Sequence, residues 1–89
     1  VGWANNEIGT VQPIAAIAAL CRRHGVPLHV DAVQAAGKIA LDVAGIDLVS
    51  VSGHKLGAPK GIGALVVRAG AAWQSPMVGG GQERGRRGG

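Results

Sequence analysis

The segment Ser52-Gly53-His54-Lys55-Leu56-Gly57 places a hydroxyl, an imidazole and an amine within four positions. A β-branched apolar run, Val49-Ser50-Val51, leads straight into it, and Gly53 and Gly57 bracket the loop. Most lysines are solvated surface cations. Lys55 stands apart because the strand delivering it is too apolar for a surface edge. Desolvation or cationic neighbours can free a lysine amine to attack aldehydes, so the chemistry open to this residue is Schiff-base formation.

Two other segments carry groups that suit the same chemistry. Pyridoxal phosphate, the aldehyde cofactor of such lysines, needs a carboxylate to keep its pyridine nitrogen protonated and donors for its phosphate. Asp31 closes the apolar run Pro27-Leu28-His29-Val30 and can supply the carboxylate; its alternative role is to cap a following helix. Gln34, one turn further on, is placed to reach the same ligand. Ser52 and His54 suit phosphate oxygens. Asn5 and Asn6 form a third polar site after the apolar start Val1–Ala4.

The elements that must position these groups follow from periodicity. Val1 to Ala4 predicts the end of a buried strand. Pro13 then starts a helix in which Ile14, Ile17, Ala18 and Cys21 recur at three-to-four spacing, closed by Arg22, Arg23, His24 and Gly25. Residues 27–32 predict a short parallel strand buried on both faces, with His29 a packed core histidine. Residues 33–46 predict a loop or short helix. Residues 47–52 and 61–68 predict two more strands. The order β-α-β-(α)-β-β implies an α/β architecture with a parallel or mixed sheet, whose function gathers at the carboxyl ends of its strands. Residues 70–89 form a glycine- and arginine-rich loop segment without a period.

Composition sets the bounds. A 47% hydrophobic content excludes a disordered chain, yet 16 glycines and only two aromatic residues, Trp3 and Trp73, leave little bulk for a self-contained core. A chain of 89 residues buries only about 60% of its unfolded surface, so the expectation is a fragment of a larger domain, residues 1–89 with no complete second domain. The lone Cys21 forms no internal disulfide and fits a reducing cytoplasm, and no apolar run spans a bilayer. The +4 charge comes largely from Arg84, Arg86 and Arg87 at the end of the chain. His24, His29, His54 and Cys21 show no metal-ligand spacing, so no metal site is expected.

"SGHKLGAPKGIGAL", preceded by "HVDAVQAAGK" and "ANNEIGTVQPI", closely resembles the cysteine desulfurases of the class V aminotransferase group, which are fold-type I pyridoxal-phosphate enzymes. The likeness covers essentially the whole chain. It implies a partial three-layer α/β fold from the cofactor-binding large domain. It further implies that Lys55 forms the Schiff base, that Asp31 pairs with the pyridine nitrogen and that Gln34 bonds the phenolic oxygen. Ser52 and His54 would hold the phosphate, and Asn6 would contact cofactor and substrate.

The activity so implied is removal of sulfur from L-cysteine, giving alanine and an enzyme persulfide for iron–sulfur cluster assembly or another sulfur acceptor, in a homodimer. The expected partners are therefore L-cysteine and an acceptor or scaffold protein, with neither nucleic acid nor membrane. Cys21 sits on the helix rather than on a mobile sulfur-accepting loop. The family's upstream phosphate turn, its ring-stacking histidine and a threonine after Gly89 lie outside the 89 residues, so this polypeptide alone is expected to be inactive. Other class V enzymes, aminotransferases or selenocysteine lyases, share the Asp and Lys framework, although "NNEIG" favours the desulfurases. The most distant alternative takes "RGRRGG" as an RNA-binding tail; it has one copy and no interleaved aromatics.

Overall fold

A computed structural model describes residues 1–89. Its helix, α1 (Ile14–Arg23), starts directly after Pro13, whose φ of −76° suits a first turn. Alanine fills half of its exposed positions, and Ile14 and Ala18 bury the opposite stripe. Arg22 and Arg23 answer the dipole in the last turn. The His24 amide bonds back to the carbonyls of Leu20 and Cys21, and Gly25, at φ +64°, turns the chain away.

Three strands form a mixed sheet: β1 (His29–Asp31), β2 (Leu48–Ser52) and β3 (Gly63–Val67). β1 and β2 are parallel, with Asp31 opposite Ser50, while β2 and β3 are antiparallel, with Ser52 opposite Gly63. The first residues extend the sheet on its far side. Gly2 bridges Asp31 in parallel, through Trp3 N–H to Asp31 O at 2.8 Å and Asp31 N–H to Val1 O at 2.8 Å. The predicted strand order therefore holds, and the crossover from this first segment to β1 runs through α1.

The core packs between α1 and one face of the sheet. Trp3, Ile14, Ala18, Leu28, Val30, Ala32, Ala35, Ile46 and Val49 form one buried cluster. Alanines at 18, 32 and 35 let backbones approach closely where bulkier side chains would hold them apart. Trp3 thus belongs to the core, whereas Trp73 is 36% exposed and donates Nε1–H to the Arg86 carbonyl at 3.0 Å.

Several expectations need correction. β1 is covered on one face only: Val30 is fully buried, but His29 and Asp31 are exposed. His29 is accordingly not a core residue; its Nε2 lies 3.1 Å from Ser50 Oγ on the open face. Of the two alternatives for residues 33–46 the loop is found, with consecutive turns over 33–38. The tail is not all loop, because β4 (Gly81–Gln82) and β5 (Arg87–Gly88) pair antiparallel around a 3-10 turn at Glu83–Gly85. Glu83 and Arg84 in this turn take left-handed φ values of 51° and 57°, unusual for residues with a Cβ.

Candidate active site

Parallel pairing puts the carboxyl ends of β1 and β2 at the same end of the sheet, and there the chemistry-bearing residues gather. β2 runs from Ser52 directly into a 3-10 turn, Gly53–Lys55. Gly53 pins this turn on both sides: its N–H donates to Ile62 O at 2.8 Å, and its carbonyl accepts from Leu56 N at 2.8 Å and Ala58 N at 3.0 Å. A Cβ at position 53 would come within 2.9 Å of the Ile62 carbonyl, so only glycine fits. Lys55 therefore leaves a strand whose turn is hydrogen-bonded to the next strand's approach. Its side chain is exposed.

Asp31 ends β1. Its Oδ1 accepts the Val33 N–H at 2.9 Å, closing an Asx turn, while Oδ2 takes no bond within the chain. This settles its local role: the carboxylate caps a turn, not a helix. Ser52 Oγ and His54 Nδ1 lie 2.8 Å apart, pairing the two groups read as phosphate donors. Gln34 is half-buried, and its Oε1 accepts from Lys38 Nζ at 3.1 Å. In the loop after the first bridge, Asn5 Oδ1 accepts the N–H groups of Glu7 at 2.9 Å and Ile8 at 3.0 Å. Asn5 thus builds the loop, and the side chain of exposed Asn6 takes no part in it.

One packing contact joins the Asp31–Gln34 turn to the lysine turn. Gly37 has φ +74°, and a Cβ there would meet Leu56 Cδ2 at 2.8 Å. Leu56 follows Lys55 directly, so the absence of a side chain at 37 lets the two loops close on each other. The sequence reading missed this contact and the Gln34–Lys38 hydrogen bond; a signal for the second was present, because Gln34 and Lys38 are four apart, the spacing at which side chains meet across a turn.

The groups so assembled fit pyridoxal phosphate. They comprise an amine on a fixed turn, a carboxylate with a free oxygen, an amide, and a hydroxyl–imidazole pair, at the ends of two adjacent parallel strands. Cys21 is elsewhere. It lines a cleft with Pro27, Asp47, Leu48 and Arg68, at the opposite end of the sheet. In that region Asp47 Oδ2 accepts the Leu28 N–H at 2.8 Å and Oδ1 accepts from Arg68 Nε at 3.1 Å. The Leu28 amide first, and the Arg68 guanidinium second, hold the Asp47 carboxyl below its ordinary value.

The family model for aminotransferase class-V matches residues 1–86. The chain belongs to the aminotransferase class-V family. Such class-V enzymes depend in general on pyridoxal phosphate, in agreement with the donor set above. Among curated relatives, a cysteine desulfurase of Gluconacetobacter diazotrophicus is 54% identical over 98% of the chain and 22% of its own length. The cysteine desulfurase IscS of Clostridium botulinum is 51% identical over the same shares. Among solved structures, SspA in complex with cysteine superposes with a TM-score of 0.89 at 48% identity, over 99% of the chain and 26% of SspA. The chain thus spans about a quarter of the length of these relatives, and its fold recurs in SspA.

Proposed function

We propose that this chain is the lysine-bearing part of the large domain of a pyridoxal-phosphate-dependent cysteine desulfurase. The observation that carries the reading is the placement of Lys55, Asp31, Gln34 and the Ser52–His54 pair at one end of the sheet, with Gly37 packed against Leu56. Class-V relatives named cysteine desulfurase, and the similarity to SspA in complex with cysteine, support L-cysteine as the substrate.

Within that reading each side chain has a distinct task. Lys55 would supply the amine that holds the cofactor's aldehyde and, as a free amine, would serve as the base that takes the substrate's proton. Asp31 holds the proton on the ring nitrogen with its free oxygen, while the Asx turn fixes the carboxylate plane. Gln34 bonds the phenolic oxygen, Ser52 and His54 bind the phosphate, and Asn6 contacts the substrate side. When bound, the cofactor supplies an electron sink for breaking bonds at the substrate's α-carbon and the adjacent carbon.

Sulfur leaves to a thiol other than Cys21, which lies at the far end of the sheet. The whole enzyme is read as a cytoplasmic homodimer passing sulfur to an iron–sulfur scaffold or another acceptor. The 89-residue chain alone is expected to release no sulfide from L-cysteine. Treating it with pyridoxal phosphate and borohydride, followed by peptide mapping, tests the core of the proposal. The expected label is on Lys55; a label confined to Lys38 or Lys60 defeats it.

A further inference from the structure

We propose that Lys38 is a positioning residue which fixes the Gln34 amide so that its NH2 end, not its oxygen, faces the cofactor's phenolic oxygen. The inference rests on the assignment of Gln34 to that oxygen, given above. An ammonium carries three N–H donors and no acceptor. The Gln34 atom 3.1 Å from Lys38 Nζ must therefore be the amide oxygen, and this charge decides an orientation that geometry alone often leaves open. With Oε1 held by Lys38, Nε2 and its two protons are left for a ligand.

The direction matters chemically. An ionised phenolic oxygen accepts hydrogen bonds only, so a reversed amide would set oxygen lone pairs against oxygen lone pairs. The turn preserves the four-residue spacing through Ala36 N–H to Ala32 O at 2.8 Å, Lys38 N–H to Ala35 O at 3.0 Å and Ile39 N–H to Ala35 O at 3.1 Å. Gly37, between the two side chains in sequence, packs under Leu56 and so keeps the pair beside the Lys55 turn. The Lys38 cation also favours negative charge on the acceptor that Gln34 contacts. Its part is to act through Gln34, without touching the cofactor.

Two measurements on the 89-residue chain test this. Without cofactor, the 13C resonance of the Gln34 side-chain carbonyl is compared in wild type, Lys38→Met and Lys38→Arg. It should move in Lys38→Met and return in Lys38→Arg, which restores a cationic donor. With cofactor, the concentration for half-maximal borohydride-trapped label at Lys55 is compared for pyridoxal phosphate and its 3-deoxy analogue, which lacks the phenolic oxygen. Lys38→Met should need about tenfold more pyridoxal phosphate, the worth of roughly one hydrogen bond, with little change for the analogue.

An unmoved Gln34 resonance overturns the proposal. So does an equal loss for both aldehydes, which would mark Lys38 as merely structural. Circular dichroism melts of each variant separate either result from unfolding. Failure of the underlying site reading shows differently, as absence of Lys55 label in the wild type with both aldehydes.

Discussion

Gly37 lies so close to Leu56 that a Cβ at 37 would meet Leu56 Cδ2 at 2.8 Å, and through that contact the turn carrying Gln34 touches the turn carrying Lys55. The two residues are 19 apart in sequence and follow different strands. Their meeting is what makes one site of them.

Gly37→Ala should cost about 1–2 kcal/mol through its left-handed φ, with a smaller addition from Leu56, whose half-exposed side chain can turn aside. Urea unfolding should show that Leu56→Ala recovers the clash portion of the Gly37→Ala loss while leaving the backbone portion, a positive coupling in the double-mutant cycle. Purely additive losses would mean that the two side chains do not meet.

Asp31→Asn separates turn from charge. The asparagine oxygen can still accept from Val33, so stability should change by less than about 0.5 kcal/mol. Trapping of pyridoxal phosphate at Lys55 should weaken by about tenfold or more, because a charge-assisted bond to the ring nitrogen is lost. Borohydride labelling across a cofactor titration reads this directly.

Val30→Ala probes the core that supports the strand ends. Val30 is fully buried between α1 and the sheet, and its truncation should lower stability by about 2 kcal/mol in chemical denaturation. The same change at exposed Val78 should be nearly silent.

Asp47 should make stability fall in acid. Its carboxyl is lowered in the folded chain by the Leu28 amide and Arg68, relative to an unfolded value near 3.8. Its contribution is therefore complete above that value and disappears as pH falls through the lower folded one. Asp47→Asn should flatten the stability profile in that acid window and leave its shape near neutrality unchanged, as followed by unfolding at successive pH values.

Much of this fold was legible in the sequence because its signals were local. Pro13, the Ile14–Cys21 spacing and Gly25 mark α1, and the apolar runs ending in Asp31 and Ser52 mark the two strands whose ends hold the chemistry. The errors arose where long-range packing decides. A three-residue strand such as His29-Val30-Asp31 is too short for alternation to distinguish one covered face from two, so His29 was misplaced in the core. The β4–β5 hairpin was hidden because glycine and arginine carry no strand signal, and its turn uses left-handed conformations at Glu83 and Arg84 that residue type does not announce. At the candidate site the residue types were readable, whereas the Gly37–Leu56 contact and the orientation of Gln34 depend on how the loops fold over one another.

The parallel run of β1 and β2 has a practical corollary. Groups proposed to handle the ligand sit where these strands finish, and the Asp47–Leu28–Arg68 clamp sits where they begin, one strand length away. Changes at the clamp and changes at the ligand end should thus combine without interference, so a laboratory could harden this polypeptide against acid or heat while leaving its reactive amine untouched.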